Sequence, residues 1–133
     1  MTRTGGCRCG AIRYTVEGDA AHHAVCHCGD CRASSGAPMV AWYAVKEDQL
    51  RLLSGEPALY EGTPGAQRQF CPRCGTGLFY RNAAMLPGIV DIQSATFDDP
   101  AASAPDAQIQ CAERLPWVAD MAEMPQFARY PGM

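Results

Sequence analysis

Cys26-His27-Cys28-Gly29-Asp30-Cys31 places three thiols within six residues, and two shorter hooks stand on either side of it, Cys7-Arg8-Cys9-Gly10 and Cys71-Pro72-Arg73-Cys74-Gly75. These hooks account for seven of the eight cysteines, one ligand short of filling two tetrahedral zinc sites. Four thiolates close a structural zinc, whereas three leave a coordination position for water or substrate. The chain therefore reads as a small protein holding two Zn²⁺ per chain, one in a closed site and one in an open site.

The 133 residues suit one domain, 1–133, with a single modest core that zinc would supplement. Thirteen glycines and ten prolines interrupt the apolar runs too often for long helices, which predicts a mainly β protein rich in turns. A formal charge of -3 and a pI near 5.5 argue against phosphate-backbone binding, so nucleic acid is not an expected partner. No apolar leader precedes the first hook, and no run approaches the ~18 apolar residues of a membrane span. Reduced CxC and CxxC hooks suit a cytoplasmic, reducing compartment; the competing reading, a secreted disulfide scaffold, fits neither their spacing nor the length.

Around the hooks, Ala11 to Val16 alternates apolar and polar residues and reads as a strand. A hairpin through Glu17-Gly18-Asp19 would return it along His22 to Cys28, which puts Cys26 and Cys28 on one face. Gly29-Asp30 ends that strand, and Asp30 is expected to cap a short helical turn from Cys31 to Ser35, where a thiolate gains from exposed helix amides. Met39 to Val45, Leu50 to Leu53, Ala58 to Glu61, Gln67 to Phe70, Leu78 to Tyr80, Ile89 to Phe97 and Gln108 to Ala112 supply further strands. Val118 to Met124 is expected to form a turn of helix.

Joining the two distant two-cysteine hooks is the simplest partition: Cys7 and Cys9 with Cys71 and Cys74, leaving Cys26, Cys28 and Cys31 as the open trio. Spacing does not exclude other partitions, such as Cys7, Cys9, Cys26 and Cys28 with the remainder as a second set. Glycine after Cys9 and after Cys74 suits hooks whose backbone turns tightly around sulfur.

The three stretches Gly5-Gly-Cys-Arg-Cys-Gly-Ala-Ile-Arg-Tyr14, Cys26-His-Cys-Gly-Asp-Cys-Arg-Ala-Ser-Ser-Gly36 and Phe70-Cys-Pro-Arg-Cys-Gly-Thr-Gly-Leu78 together resemble the glutathione-dependent formaldehyde-activating enzyme family, which also includes centromere protein V. The resemblance implies a β-tent fold of short antiparallel sheets stapled by zinc. It implies a structural zinc on Cys7, Cys9, Cys71 and Cys74 and a catalytic zinc on Cys26, Cys28 and Cys31. It also implies condensation of formaldehyde with glutathione to S-(hydroxymethyl)glutathione, a carbon–sulfur lyase reaction in the reverse direction.

The open trio supports such chemistry independently of the resemblance. Three thiolates donate strongly and leave the metal a weak Lewis acid, which favours capture of a substrate thiol over activation of water. A small carbonyl compound plus a thiol is thus the expected substrate pair. A zinc hydrolase of an imine or thioester at the same site, and a non-catalytic zinc module for protein contacts, are the alternatives. Exposed strand edges in a small β domain make a homodimer reasonable.

Other residues read more plainly. Cys111 is expected to be a small buried core residue, and His27 to face away from its cysteine neighbours in a surface or hydrogen-bonding role. His22 and His23 read as solvated strand ends. Trp42, Tyr43, Phe97 and Trp117 read as core or rim aromatics. Arg8, Arg32 and Arg73 stand beside the hooks where they can offset thiolate charge or bind a carboxylate, and Gln93 and Ser94 form a polar pair that can reach a pocket.

Overall fold

Short runs of β-branched and aromatic residues between glycine and proline breaks become strands here. The computed structural model describes residues 1–62 and 64–133. In chain order its strands are β1 (Thr2–Gly6), β2 (Arg13–Glu17), β3 (His22–Cys26), β4 (Val40–Lys46), β5 (Leu50–Ser54), β6 (Ala58–Glu61), β7 (Ala66–Phe70), β8 (Gly77–Asn82), β9 (Ile89–Gln93) and β10 (Ala107–Ile109). One α-helix, α1 (Gly29–Ser35), lies between β3 and β4. Short 3₁₀ turns fill several connections, and a longer one, Pro116–Glu123, stands where a helical turn was expected near Val118.

The mainly β expectation holds, in two sheets. β1, β2 and β5 form the smaller, in the order β1-β2-β5. The seven-stranded sheet runs β10-β3-β4-β9-β8-β7-β6, antiparallel except for β10 against β3. The expected hairpin between β2 and β3 does not form. β2 pairs with β1 and β5, whereas β3 pairs with β4 and β10. Gly18, at a φ of 76°, turns the chain from one sheet into the other.

Alternation along the two central strands separates a core face from a second face. Tyr43 and Val45 of β4, Val90 and Ile92 of β9, and Phe79 of β8 meet Ile12, Tyr14 and Val16 from the smaller sheet. Phe79 and Ile92 are at most 2% exposed, and burial of each contributes roughly 1.5–3 kcal/mol. The Tyr14 ring meets Phe79 edge-on at 5.3 Å, and its hydroxyl reaches the Thr96 hydroxyl at 2.7 Å. Trp42, Ala44, Asp91 and Tyr80 alternate with these residues and present the opposite face, on which α1 sits beside β4.

Candidate metal centres and the adjoining pocket

Each outer hook closes around its own sulfur. In the first, the Ile12 amide donates to Cys7 Sγ at 3.2 Å, while Gly10 takes a φ of 82° and its amide donates to the Cys7 carbonyl. In the second, the Cys74 amide donates to Cys71 Sγ at 3.4 Å, and Gly75, again at a φ of 82°, donates to the Cys71 carbonyl. The two hooks thus share a plan, though not a spacing, and glycine adopts that left-handed turn without strain.

Folding brings the two hooks together. The sulfurs of Cys7, Cys9, Cys71 and Cys74 all lie within 4.8 Å of one another, with Cys7 to Cys9 at 3.5 Å and Cys9 to Cys71 at 3.8 Å. A tetrahedral zinc with Zn–S bonds of about 2.3 Å separates its sulfurs by about 3.8 Å, so this donor set fits such an ion. The thiols also oppose each other electrostatically. The hydroxyl and amide of Thr76 bring Cys74 down to about 5, whereas Cys9, exposed and helped down by the Ala11 amide, is nevertheless driven up to about 11 by local desolvation and the sulfurs of Cys7, Cys74 and Cys71. Four thiols so crowded do not ionise together unless a cation joins them.

The trio is built differently. β3 ends at Cys26, so strand geometry does not carry Cys28. Instead Cys28 is the N-cap of α1: its sulfur accepts the Cys31 amide at 3.3 Å, a role expected of Asp30. The helix therefore begins before Cys31 and holds that residue inside its first turn. Cys31 Sγ and Cys26 Sγ are 3.7 Å apart, and all three sulfurs lie within 4.8 Å of one another. They too can hold a metal ion. Burial pushes Cys26 up to about 12 and raises Cys31; at Cys28 burial is the largest single influence, but the Cys31 and Asp30 amides together with the Cys31 and Cys26 sulfurs overcome it and lower that thiol. None of the eight cysteines is in a disulfide.

A cavity of about 280 Å³ opens on the trio, lined by Cys26, Cys28 and Cys31 together with Trp42, Arg68, Tyr80 and Asp91. Arg68 reaches in from β7. Its guanidinium pairs with Asp30 at 2.6 Å, lies 4.8 Å from the Tyr80 ring centre and 6.0 Å from that of Trp42, and stands 3.8 Å from Cys31 Sγ. Arg68, Tyr80 and Asp91 were not singled out in the sequence. Asp91 did leave a signal, a carboxylate inside the apolar run Ile89-Val90-Asp91-Ile92. Arg68 left a weaker one, a charge in the strand that leads into Cys71.

Several neighbours stand elsewhere than expected. Cys111 is exposed at the start of a 3₁₀ turn and belongs to neither sulfur cluster, because β10 ends at Ile109. His27 is fully buried and bonds Gln108 at 2.8 Å, clear of the pocket lining. His23 is buried against the Ser94 hydroxyl at 2.8 Å, whereas His22 is exposed and lines the pocket rim. Arg32 bonds the carbonyls of His27 and Glu113, a strap across the base of the trio. Arg8 and Arg73 point to solvent, Gln93 lines a different cavity, and Trp117 is exposed.

The model of the glutathione-dependent formaldehyde-activating enzyme family matches residues 2–113, which contain both sulfur clusters and the pocket. The chain belongs to this family. Membership supports a formaldehyde-activating, lyase-like role, in a family that acts with glutathione and formaldehyde as small-molecule substrates. A Rhodobacter sphaeroides protein of known crystal structure is similar in fold, with a TM-score of 0.63 and 26% identity over 79% of this chain and 98% of the other. Among the described residues no helix is long and apolar enough to cross a membrane.

Proposed function

We propose that the chain is a zinc-dependent carbon–sulfur lyase-type enzyme that joins a thiol to a small carbonyl compound, with glutathione and formaldehyde as the pair that family membership favours. Cys7, Cys9, Cys71 and Cys74 hold a structural zinc in this reading, and Cys26, Cys28 and Cys31 hold the catalytic one. The observation that carries it is the unequal division of sulfur: four donors join the two outer hooks, and three donors face a cavity. Zinc held by the trio would supply an open coordination position for a substrate sulfur and, more weakly, for a carbonyl oxygen.

The surrounding residues supply the rest. Trp42 and Tyr80 wall the cavity with aromatic surface and limit water, which strengthens the field of Arg68 inside it. Arg68 is oriented by Asp30 and stands beside Cys31 Sγ, where its charge would stabilise negative charge that develops next to the trio. The reaction balances without an oxidant. The new C–S bond replaces the π bond of the carbonyl, and the thiol proton ends on the resulting hydroxyl.

The same reading takes residues 1–133 as one domain that works on small molecules in the cytoplasm, with no nucleic-acid or membrane partner. A homodimer would pair through an open sheet edge such as β6, where Leu59 and Tyr60 are exposed.

The test combines metal analysis with adduct formation. Purified protein is expected to hold two zinc ions per chain and to accelerate S-(hydroxymethyl)glutathione formation, followed by NMR, above the spontaneous rate. Two zinc ions without acceleration would reject the reading, and turnover of an imine or thioester with no added thiol would replace it with a hydrolase.

A further inference from the structure

Val90 and Ile92 fill the core, so strand alternation turns Asp91 the other way, into the cavity beside the trio. Its neighbours across the sheet are Ala44 on β4 and Tyr80 on β8. Ala44 offers only a methyl group there, and His22 follows it at the rim. Asp91 is 6% exposed, and its Oδ1 has no hydrogen-bond partner among the described residues. Burial pushes its carboxyl above the usual carboxylate range, with His22 opposing weakly. An enclosed carboxyl without a partner, at the wall of a binding cavity, marks a place where a ligand completes the hydrogen bonding.

The fold says what such a ligand carries. The cavity's own cation, Arg68, is held by Asp30 and is separated from Asp91 by the intervening Tyr80. Apart from the exposed His22 imidazole at the rim, Asp91 thus lacks a cation, which is the partner that would favour its charged form. Register also sets a length. Asp91 stands opposite Ala44 and Cys26 opposite Val40, four residues or about 13 Å apart along β4, and the two lie on the strands either side of it. A short thiol cannot engage both.

We propose that Asp91 anchors a primary ammonium group at the far end of an extended thiol substrate, so that the pocket recognises sulfur and ammonium at opposite ends. This rests on the thiol-plus-carbonyl reading of the trio. The test is calorimetric titration of the zinc-loaded full chain with glutathione and with its deaminated analogue, in which hydrogen replaces the α-ammonium group.

Wild-type protein is expected to bind glutathione about tenfold or more tightly than the analogue, as loss of a charged hydrogen bond requires. Asp91→Asn is expected to bind both at the weaker affinity. Equal binding of the two thiols by wild-type protein overturns the anchor and leaves the thiol reading intact. Binding of neither overturns both. The comparison of two ligands on wild-type protein decides the matter even if the variant fails to fold.

Discussion

The guanidinium of Arg68 stands 3.8 Å from the sulfur of Cys31, although the two residues come from different elements and lie 37 positions apart. Asp30 orients it from the first turn of α1, and the Trp42 and Tyr80 rings confine it. A fixed, desolvated cation beside three sulfurs stabilises negative charge without reorganising at the moment of reaction. Arg68→Met keeps most of the apolar stem and removes the charge. It is expected to lower kcat by about 10²-fold with a smaller change in KM, a loss typical of removing one such donor. Arg68→Lys should recover only part of it, because a point charge does not reproduce the planar fork. Steady-state kinetics of the two variants check this, and equal activity of Arg68→Met and wild type would exclude the role.

The two sulfur clusters should respond differently to the loss of one ligand. Cys28 caps α1 and faces the pocket, whereas Cys71 is fully buried where the second hook meets the first. Cys28→Ser keeps a capping oxygen, so it is expected to fold, to retain one zinc and to be inactive. Cys71→Ser should lose cooperative folding, since a structural zinc contributes folding free energy directly. Circular dichroism melts with metal analysis separate the cases, and equal unfolding of both variants would remove the division of roles.

Local patterns made the hooks legible: the cysteine spacing and the glycines after Cys9 and Cys74 fix each turn within five residues or so, independently of the rest. Most strands were legible for the same reason, from short runs between breakers. Sheet membership was not. Nothing within Glu17-Gly18-Asp19 states that β2 and β3 belong to separate sheets, because pairing is decided by which apolar faces meet. The pocket shares that origin. Arg68, Tyr80 and Asp91 become neighbours only through the β7-β8-β9 register, and each alone resembles an ordinary strand residue. His23 was misread because a buried hydroxyl partner, Ser94, lies 71 residues away.

Two classes of glycine predict two sizes of effect. A Cβ at Gly10 or Gly75 meets nothing within 4 Å, so Gly10→Ala and Gly75→Ala should each cost only the left-handed backbone penalty, about 1–2 kcal/mol. At Gly5 the same atom would lie 2.4 Å from the Tyr14 hydroxyl and 2.6 Å from the Thr96 carbonyl. Gly5→Ala must displace the buried Tyr14 or its backbone neighbour, and overpacking adds roughly 1–3 kcal/mol or more. Urea denaturation at constant zinc checks the order, which fails if Gly5→Ala is the mildest of the three.

Asp98 joins the segment after β9 to both strands of the β1-β2 pair, accepting from Arg13 at 2.9 Å and from the Thr4 hydroxyl at 2.6 Å. The Arg13 bond, helped by Thr4, holds its carboxyl down at about 2. A depressed carboxyl stabilises the folded state above its unfolded value, near 3.9, and that stability is lost as pH falls toward 2. Arg13 and Asp98 side chains are 37% and 48% exposed, so solvent screening reduces the contribution to about 0.5–1 kcal/mol. Asp98→Asn should therefore lower stability at pH 7 by about that amount, and the difference from wild type should shrink between pH 4 and pH 2. Paired melts across that range, with zinc content measured at each pH, test it; a gap that widens toward acid would show that Asp98 is not the group responsible.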